Sequence, residues 1–276
     1  MIDGLVFPEG PRWHDGRLWF SDQHARRVCA LTPGGRLETV VEVPNRPSGL
    51  GWLPDGTLLV VSMDDRRVLR LGSDGSLLLH ADLAGVAEFH CNDMIVDASG
   101  RAYVGNFGFD LDHGADPTDA TLAIVEPDGA VRAGPGDLAF PNGMVITPDG
   151  GTLIVGETMA GRLTAFTIGP NGDLADRREF ARTEGALPDG ICLDARGGVW
   201  IACPLTGRVL RVEAGGAITD VVTLPERKAF ACMLGDDDRR TLYICAAPTF
   251  DPDETVVARN GAIESVRVDV PGAGLP

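Results

Sequence analysis

Six copies of one pattern run through the 276 residues. They predict an all-β fold, a six-bladed β-propeller of four-stranded antiparallel blades. Each copy opens with a small or polar pair, continues into a short apolar run, turns at a Gly-containing dipeptide, and enters a strand rich in Leu, Val, Ile and Trp. The copies are EGPRWHDGRLWFSD, PSGLGWLPDGTLLVVSMD, CNDMIVDASGRAYVGNF, PNGMVITPDGGTLIVGE, PDGICLDARGGVWIACP and ACMLGDDDRRTLYICAAP. With Glu9, Ser48, Asn92, Asn142, Asp189 and Ala231 set as equivalents, the intervals are 39, 44, 50, 47 and 42 residues. No segment sustains a 3.6-residue apolar period, so few helices are expected.

The remaining strands follow in order. A third strand succeeds the second in RRVCALT, RRVLRLG, GRLTAFTI and GRVLRVE. A Gly-rich turn then leads to a fourth in TPGGRLETVVEV, GSDGSLLLHADL, EPDGAVRAG, GPNGDLADRREF and EAGGAITDVVTL. Turn dipeptides between β-branched runs are strong hairpin signals. The sixth copy ends without a fourth strand, while a spare strand stands ahead of the first copy, around Ile2 to Phe7. That segment is expected to complete the sixth blade, closing the ring and removing its exposed edges. Residues 1–276 therefore read as a single propeller domain.

Composition narrows the function. With 24 Lys and Arg against 40 Asp and Glu, the formal charge is -16. An acidic surface repels phosphate backbones and anionic lipid, which argues against nucleic-acid and membrane-surface binding. The carboxylates are scattered, so their general role is solubility. The N-terminal MIDGLVFPEGPRW lacks the basic and apolar regions of a signal peptide. No apolar run approaches the roughly 18 residues that span a bilayer. The six cysteines contain no C-x-x-C pair and sit in apolar stretches, so buried thiols and a reducing, cytoplasmic setting are expected. Nothing marks a dimer patch.

The first strand of each propeller blade lines the central channel, so the six equivalent residues should face one another at its mouth. Glu9, Asn92, Asn142 and Asp189 bring oxygen atoms of the kind that coordinate hard cations. Two carboxylates in a narrow tunnel are costly unless protonated or neutralised, and no Arg or Lys occupies the ring. A bound divalent cation is the simplest resolution. Asp-Gly and Asn-Gly pairs also form ordinary turns. Here, however, they precede the first strand at one fixed offset, and the connecting turn comes later.

On these residues the chain resembles the SMP-30/gluconolactonase/LRE family of six-bladed propeller lactonases, over essentially its whole length. The resemblance rests on Phe7-Pro8-Glu9-Gly10-Pro11-Arg12-Trp13, on Asn92-Asp93 followed by Val96-Asp97-Ala98-Ser99-Gly100-Arg101, on Pro141-Asn142-Gly143, and on Pro188-Asp189-Gly190 with Leu193-Asp194 and Trp200-Ile201-Ala202-Cys203. It implies that Glu9, Asn142 and Asp189 ligate one divalent cation: calcium, zinc, manganese, magnesium or iron. Asn92 would contact substrate, or serve as a further ligand as in related organophosphate-hydrolysing propellers. An oxygen-only donor set disfavours a dedicated zinc cage. Sugar-lactone members often carry an Arg two residues before the Asn92 position. The residue here is His90, beside Phe89, which suits a less hydroxylated lactone or ester, or a hydrogen-bonded rim residue with no substrate role.

The expected reaction is opening of a small lactone to its hydroxy acid. A cation polarises the carbonyl. The resemblance points to Asp189 as ligand and general base together; a hydroxide held on the cation is the competing nucleophile. The alternatives are an organophosphate or aryl-ester hydrolase on the same site, and a non-catalytic propeller that binds a partner around a structural ion. No G-x-S-x-G elbow, Walker loop, H-E-x-x-H or dinucleotide fingerprint is present. His14, His24 and His80 are expected at the surface. His113 lies in the polar stretch 110–120, a lid or a solvated loop. Cys232 is expected as a structural thiol.

Overall fold

The computed structural model describes residues 2–183 and 185–274. Six four-stranded antiparallel sheets surround an axis. Strand β1 (Ile2–Leu5) comes first, and blade 1 follows with β2 (Pro8–His14), β3 (Arg17–Asp22), β4 (Arg27–Leu31) and β5 (Leu37–Glu42). Blade 2 holds β6 (Pro47–Trp52), β7 (Leu58–Ser62), β8 (Arg67–Leu71) and β9 (Leu77–Asp82). Blade 3 holds β10 (Cys91–Val96), β11 (Ala102–Asn106), β12 (Ala123–Val125) and β13 (Val131–Ala133). Blade 4 holds β14 (Pro141–Ile146), β15 (Thr152–Glu157), β16 (Arg162–Ile168) and β17 (Leu174–Arg182). Blade 5 holds β18 (Ile191–Leu193), β19 (Val199–Cys203), β20 (Arg208–Val212) and β21 (Ile218–Thr223). Blade 6 combines β22 (Lys228–Gly235), β23 (Thr241–Ala247) and β24 (Gly261–Arg267) with β1 as its outer strand, as the leftover N-terminal strand predicts.

The apolar runs of the repeats pack between blades. Leu59 and Val61 of blade 2, for example, share a buried cluster with Met94 and Val104 of blade 3. Burying each such side chain contributes about 1.5–3 kcal/mol relative to exposure. Ring closure has its own lock. The carboxylate of Asp22, with a fully buried side chain, accepts the backbone N–H groups of Val6 (3.0 Å) and Phe7 (2.8 Å) and pairs with Arg27 at 2.8 Å. It ties the incoming segment to blade 1 just after that segment leaves blade 6.

Two features were not legible in the repeats. A short helix, α1 (Pro252–Ala258), interrupts blade 6 between β23 and β24. Its cap is orthodox, with Asp251 accepting from Asp253 N and Pro252 opening the helix, but seven residues are too few to show a period. The segment after β24 also crosses the lower ends of the inner strands: Gly272 bridges Asp194, and the N–H of Ala273 donates to Leu193 O.

Candidate functional site

The second residue of each blade's opening pair sits in a β-bulge. In blades 1 to 4 the register slips by one residue between Glu9 and Arg12, Pro47 and Leu50, Cys91 and Met94, and Pro141 and Met144. In blade 5 both Asp189 and Gly190 bond Ala202, which is the same bulge. A bulge re-aims one side chain out of the alternating pattern, and here it does so at the upper end of every inner strand. The residue after it is glycine in four blades because the next inner strand leaves no room. A Cβ at Gly143 would lie 2.5 Å from Ile191 N, and one at Gly190 would lie 2.3 Å from Ala231 Cβ.

The register corrects the sixth member of the ring. Gly143 N donates to Asp189 O, and one blade on Gly190 N donates to Phe230 O. Phe230, not Ala231, is therefore the equivalent of Asp189. The slip in blade 6 lies between Ala229 and Ala231, one residue earlier than sequence spacing suggests. The ring reads Glu9, Ser48, Asn92, Asn142, Asp189 and Phe230, with oxygens on five consecutive blades and an apolar wall on the sixth.

Within the ring, Asn142 Nδ2 donates to Asp189 Oδ1 and to Thr158 Oγ1 (3.2 Å), while Thr158 donates onward to Pro188 O at 2.7 Å. Ser48 Oγ donates to Asn92 Oδ1 at 3.3 Å, and Glu9 Oε2 accepts from Gly10 N at 2.6 Å. Burial raises the Glu9 carboxyl to about 8, with Asp93 adding to the rise and Gly10 N–H and Arg12 opposing it. Burial raises Asp189 well above the usual carboxylate range, and Glu9 and Asp93 push it further. Glu9 and Asp189 thus sense each other across the mouth.

The electrostatics include a pair that the ring positions do not reveal. Arg12, three residues along β2 from Glu9 and 2% exposed, reaches from blade 1 to Asp93 Oδ1 on blade 3 at 2.7 Å and also bonds Met94 O. Asp93 occupies the place that glycine holds in blades 1, 2, 4 and 5, and that break in the pattern was the available signal. Three carboxylates (Glu9, Asp93, Asp189) face one guanidinium, leaving two negative charges when all are ionised. Among the described residues no three His, Cys, Asp or Glu side chains gather at metal-ligand spacing. The donors here are two carboxylates with the side-chain amides of Asn92 and Asn142. Their net charge fits one divalent cation, and the all-oxygen chemistry fits a hard one.

A second tier lies two residues ahead of the ring. The carbonyls of Phe7, Arg46, His90 and Phe140 each accept an N–H from the residue that follows the neighbouring strand: Gln23 (2.8 Å), Met63 (3.0 Å), Phe107 (3.0 Å) and Thr158 (3.1 Å). His90 Nε2 and Arg46 Nη2 converge on Asp112 Oδ2 at 3.3 and 3.1 Å. Burial lowers the His90 pKa, with Arg46 adding to the effect. His90 packs against Phe89 (4.1 Å between centroids) and edge-on to Phe107, which stacks on Phe140 at 4.6 Å. The stretch 110–120 delivers Asp112 to this tier, while its His113 is exposed and bonded to Asp110.

Other sequence expectations divide. His14, His24 and His80 are half-buried rather than surface residues. His14 stacks on Trp52 at 4.0 Å. His24 stacks on Phe7 at 4.5 Å and bonds Thr255 Oγ1 of α1 at 2.8 Å; burial, helped by Arg46, lowers its pKa to about 4. All six cysteines are buried free thiols. Cys232 lies 3.8 Å from Cys192 Sγ, and burial raises its pKa well above the ordinary thiol value, so it is an inert packing residue. No helix is long and apolar enough to cross a membrane among the described residues.

Comparison with known proteins agrees with this architecture. The family described as SMP-30/Gluconolactonase/LRE-like region matches residues 7–248. A 6-deoxy-6-sulfogluconolactonase from Pseudomonas putida is 27% identical, with 98% of this chain and 94% of that protein covered. The solved structure of a gluconolactonase from Xanthomonas campestris is 29% identical, with a TM-score of 0.74 over 88% of this chain and 84% of that one. A calcium-binding protein, regucalcin, from Agrobacterium tumefaciens shares the fold at 23% identity, with a TM-score of 0.82 over 99% and 93%.

Proposed function

Because the chain belongs to the SMP-30/gluconolactonase/LRE-like family, we propose that it is a lactonase that opens a small cyclic ester to its hydroxy acid with one divalent cation at the channel mouth. The observation that carries this reading is the buried ring in which Asn142 meets Asp189 and the Glu9 carboxyl raises the Asp189 pKa, two carboxyls that burial disfavours as anions unless a cation joins them. The names borne by the Pseudomonas and Xanthomonas relatives support a lactone substrate. The calcium-binding regucalcin supports a divalent ion.

Glu9, Asn142 and Asp189 would hold the cation, Asn142 by a half-turn of its amide that presents Oδ1 in place of Nδ2. When bound, the cation supplies Lewis-acid polarisation of the lactone carbonyl and stabilises the negative charge that develops on it. Asp189 takes the proton of the attacking water as general base. Asn92, held by Ser48, orients the lactone, with His90 above it. Phe230 and Phe7, packed edge to face with ring centroids 4.7 Å apart, wall off blade 6.

The test is a pH-stat assay on cation-stripped protein, with single cations restored against γ- and δ-lactones. Turnover should return with a divalent cation, and Asp189→Asn should lose about 100-fold or more while the protein still takes up the ion. Full activity in that variant refutes the base assignment. The aromatic flank of His90, formed by Phe89 and Phe107, favours a second reading, aryl-ester or phosphotriester hydrolysis. Faster turnover of those substrates than of any lactone would establish it.

A further inference from the structure

Of the 24 lysines and arginines in the chain, Lys228 is the only lysine. The register of blade 6 puts it in the second tier of the mouth: it stands two residues ahead of Phe230 and pairs with Ala247, as Phe7 bonds Gln23 in blade 1. Arg46 is the other permanent cation of that tier, and its charge is already spent on Asp64 at 2.6 Å and Asp112 at 3.1 Å. Lys228 pairs with no carboxylate among the described residues, whereas its neighbour Arg227 holds both Asp3 and Glu264. The Lys228 ammonium instead lies 5.9 Å from the ring centroid of Phe250, which is 57% exposed. Directly below, the ring position of its own blade is Phe230, which brings no side-chain oxygen to the ammonium.

An unpaired cation at the mouth of a chain with a net charge of -16 marks where negative charge is to be received. At about 3.3 Å of rise per residue, the second tier stands roughly 7 Å above the ring. That is the span from the carbonyl of a six-membered lactone to a substituent on its far side. We propose that Lys228 recognises an oxyanion group (carboxylate, sulfonate or phosphate) on the substrate whose carbonyl lies over Glu9, Asn142 and Asp189. This assignment rests on the lactonase reading. It names the substrate class as a lactone that carries an anion over blade 6, with Phe250 flanking the ammonium.

The experiment compares a neutral aldono-δ-lactone with counterparts bearing a terminal carboxylate, phosphate or sulfonate, using cation-loaded wild type, Lys228→Met and Lys228→Arg. Lys228→Met should raise KM for the anionic lactones by about 10- to 100-fold, the worth of one charge-assisted contact, with little change in kcat. The neutral lactone should be unaffected, Lys228→Arg should recover most of the loss, and added salt should weaken the wild-type preference. Equal effects on neutral and anionic lactones, or none on either, overturn the assignment while leaving the lactonase reading intact. Absence of any lactone turnover in the cation-loaded wild type overturns that reading, and this one with it.

Discussion

Replacing Arg12 by Met removes the one guanidinium that opposes the carboxylates of the mouth. Arg12 is 2% exposed, contacts Asp93 at 2.7 Å, and bonds Pro11 O at 2.8 Å. Its loss strands Asp93 beside Glu9 and Asp189 in a buried setting. Breaking a buried ion pair from one side costs about 3–5 kcal/mol. At about 2–4 °C per kcal/mol for a large domain, the cation-free variant should unfold about 6–20 °C below wild type. Affinity for a divalent cation should move the other way, because the mouth then holds three negative charges rather than two and the repulsion from Arg12 is gone. Thermal unfolding with and without chelator gives the first quantity, and calorimetric titration with calcium and manganese gives the second. A loss of stability with an unchanged or weaker cation affinity would refute the proposed charge balance, and so would a melting temperature within about 2 °C of wild type.

Two further outcomes follow from the same groups. Glu9, ordinarily near 4.5, is raised to about 8, and Asp189 is also raised, so the cation-free fold favours their protonated forms and loses stability as pH climbs through this window. His24, lowered to about 4, acts oppositely below about 6.5, so the fall should be clearest between pH 6.5 and 8. Cation affinity should rise over that range, and a melting temperature flat with pH in chelator would contradict it. Asp22→Ala should release the closing strand: amide exchange at residues 2–7 should accelerate more than elsewhere, with a global cost of about 2–5 kcal/mol from the two stranded backbone N–H groups of Val6 and Phe7.

The fold was legible because each blade must repeat the same alternation and the same turns, and the surplus N-terminal strand could only be placed by closing the ring. The ring was legible for a related reason. A bulge at one backbone position six times over makes sequence register a proxy for position in space, and Glu9, Asn92, Asn142 and Asp189 were found by counting alone. Counting fails where the backbone adjusts. The blade 6 bulge falls one residue earlier than its neighbours' spacing implies, which put Ala231 where Phe230 stands. It also fails for pairs that cross the axis. Arg12 and Asp93 are 81 residues apart, and only the close packing of the inner strands brings them together. The half-buried state of His24 likewise depends on α1, which carries no periodic signal.

The identity of each ring residue follows from where its blade stands. Asn142 and Asp189 belong to adjacent blades 4 and 5, and short side chains suffice to bring them into hydrogen-bonding contact. Glu9 belongs to blade 1, separated from blade 5 by the blade whose ring residue is Phe230. Any cation shared with Asp189 must be reached past that apolar wall, and the extra methylene of Glu over Asp supplies the reach. The upward push of Glu9 on the Asp189 carboxyl shows that the gap is already small enough for their charges to interact. Blade 6 itself, where Phe230 brings no side-chain oxygen, stands between these two carboxylate-bearing blades and opposite Asn92 on blade 3, so a cation drawn to both carboxylates would rest against the Phe230 wall with Asn92 facing it across the mouth.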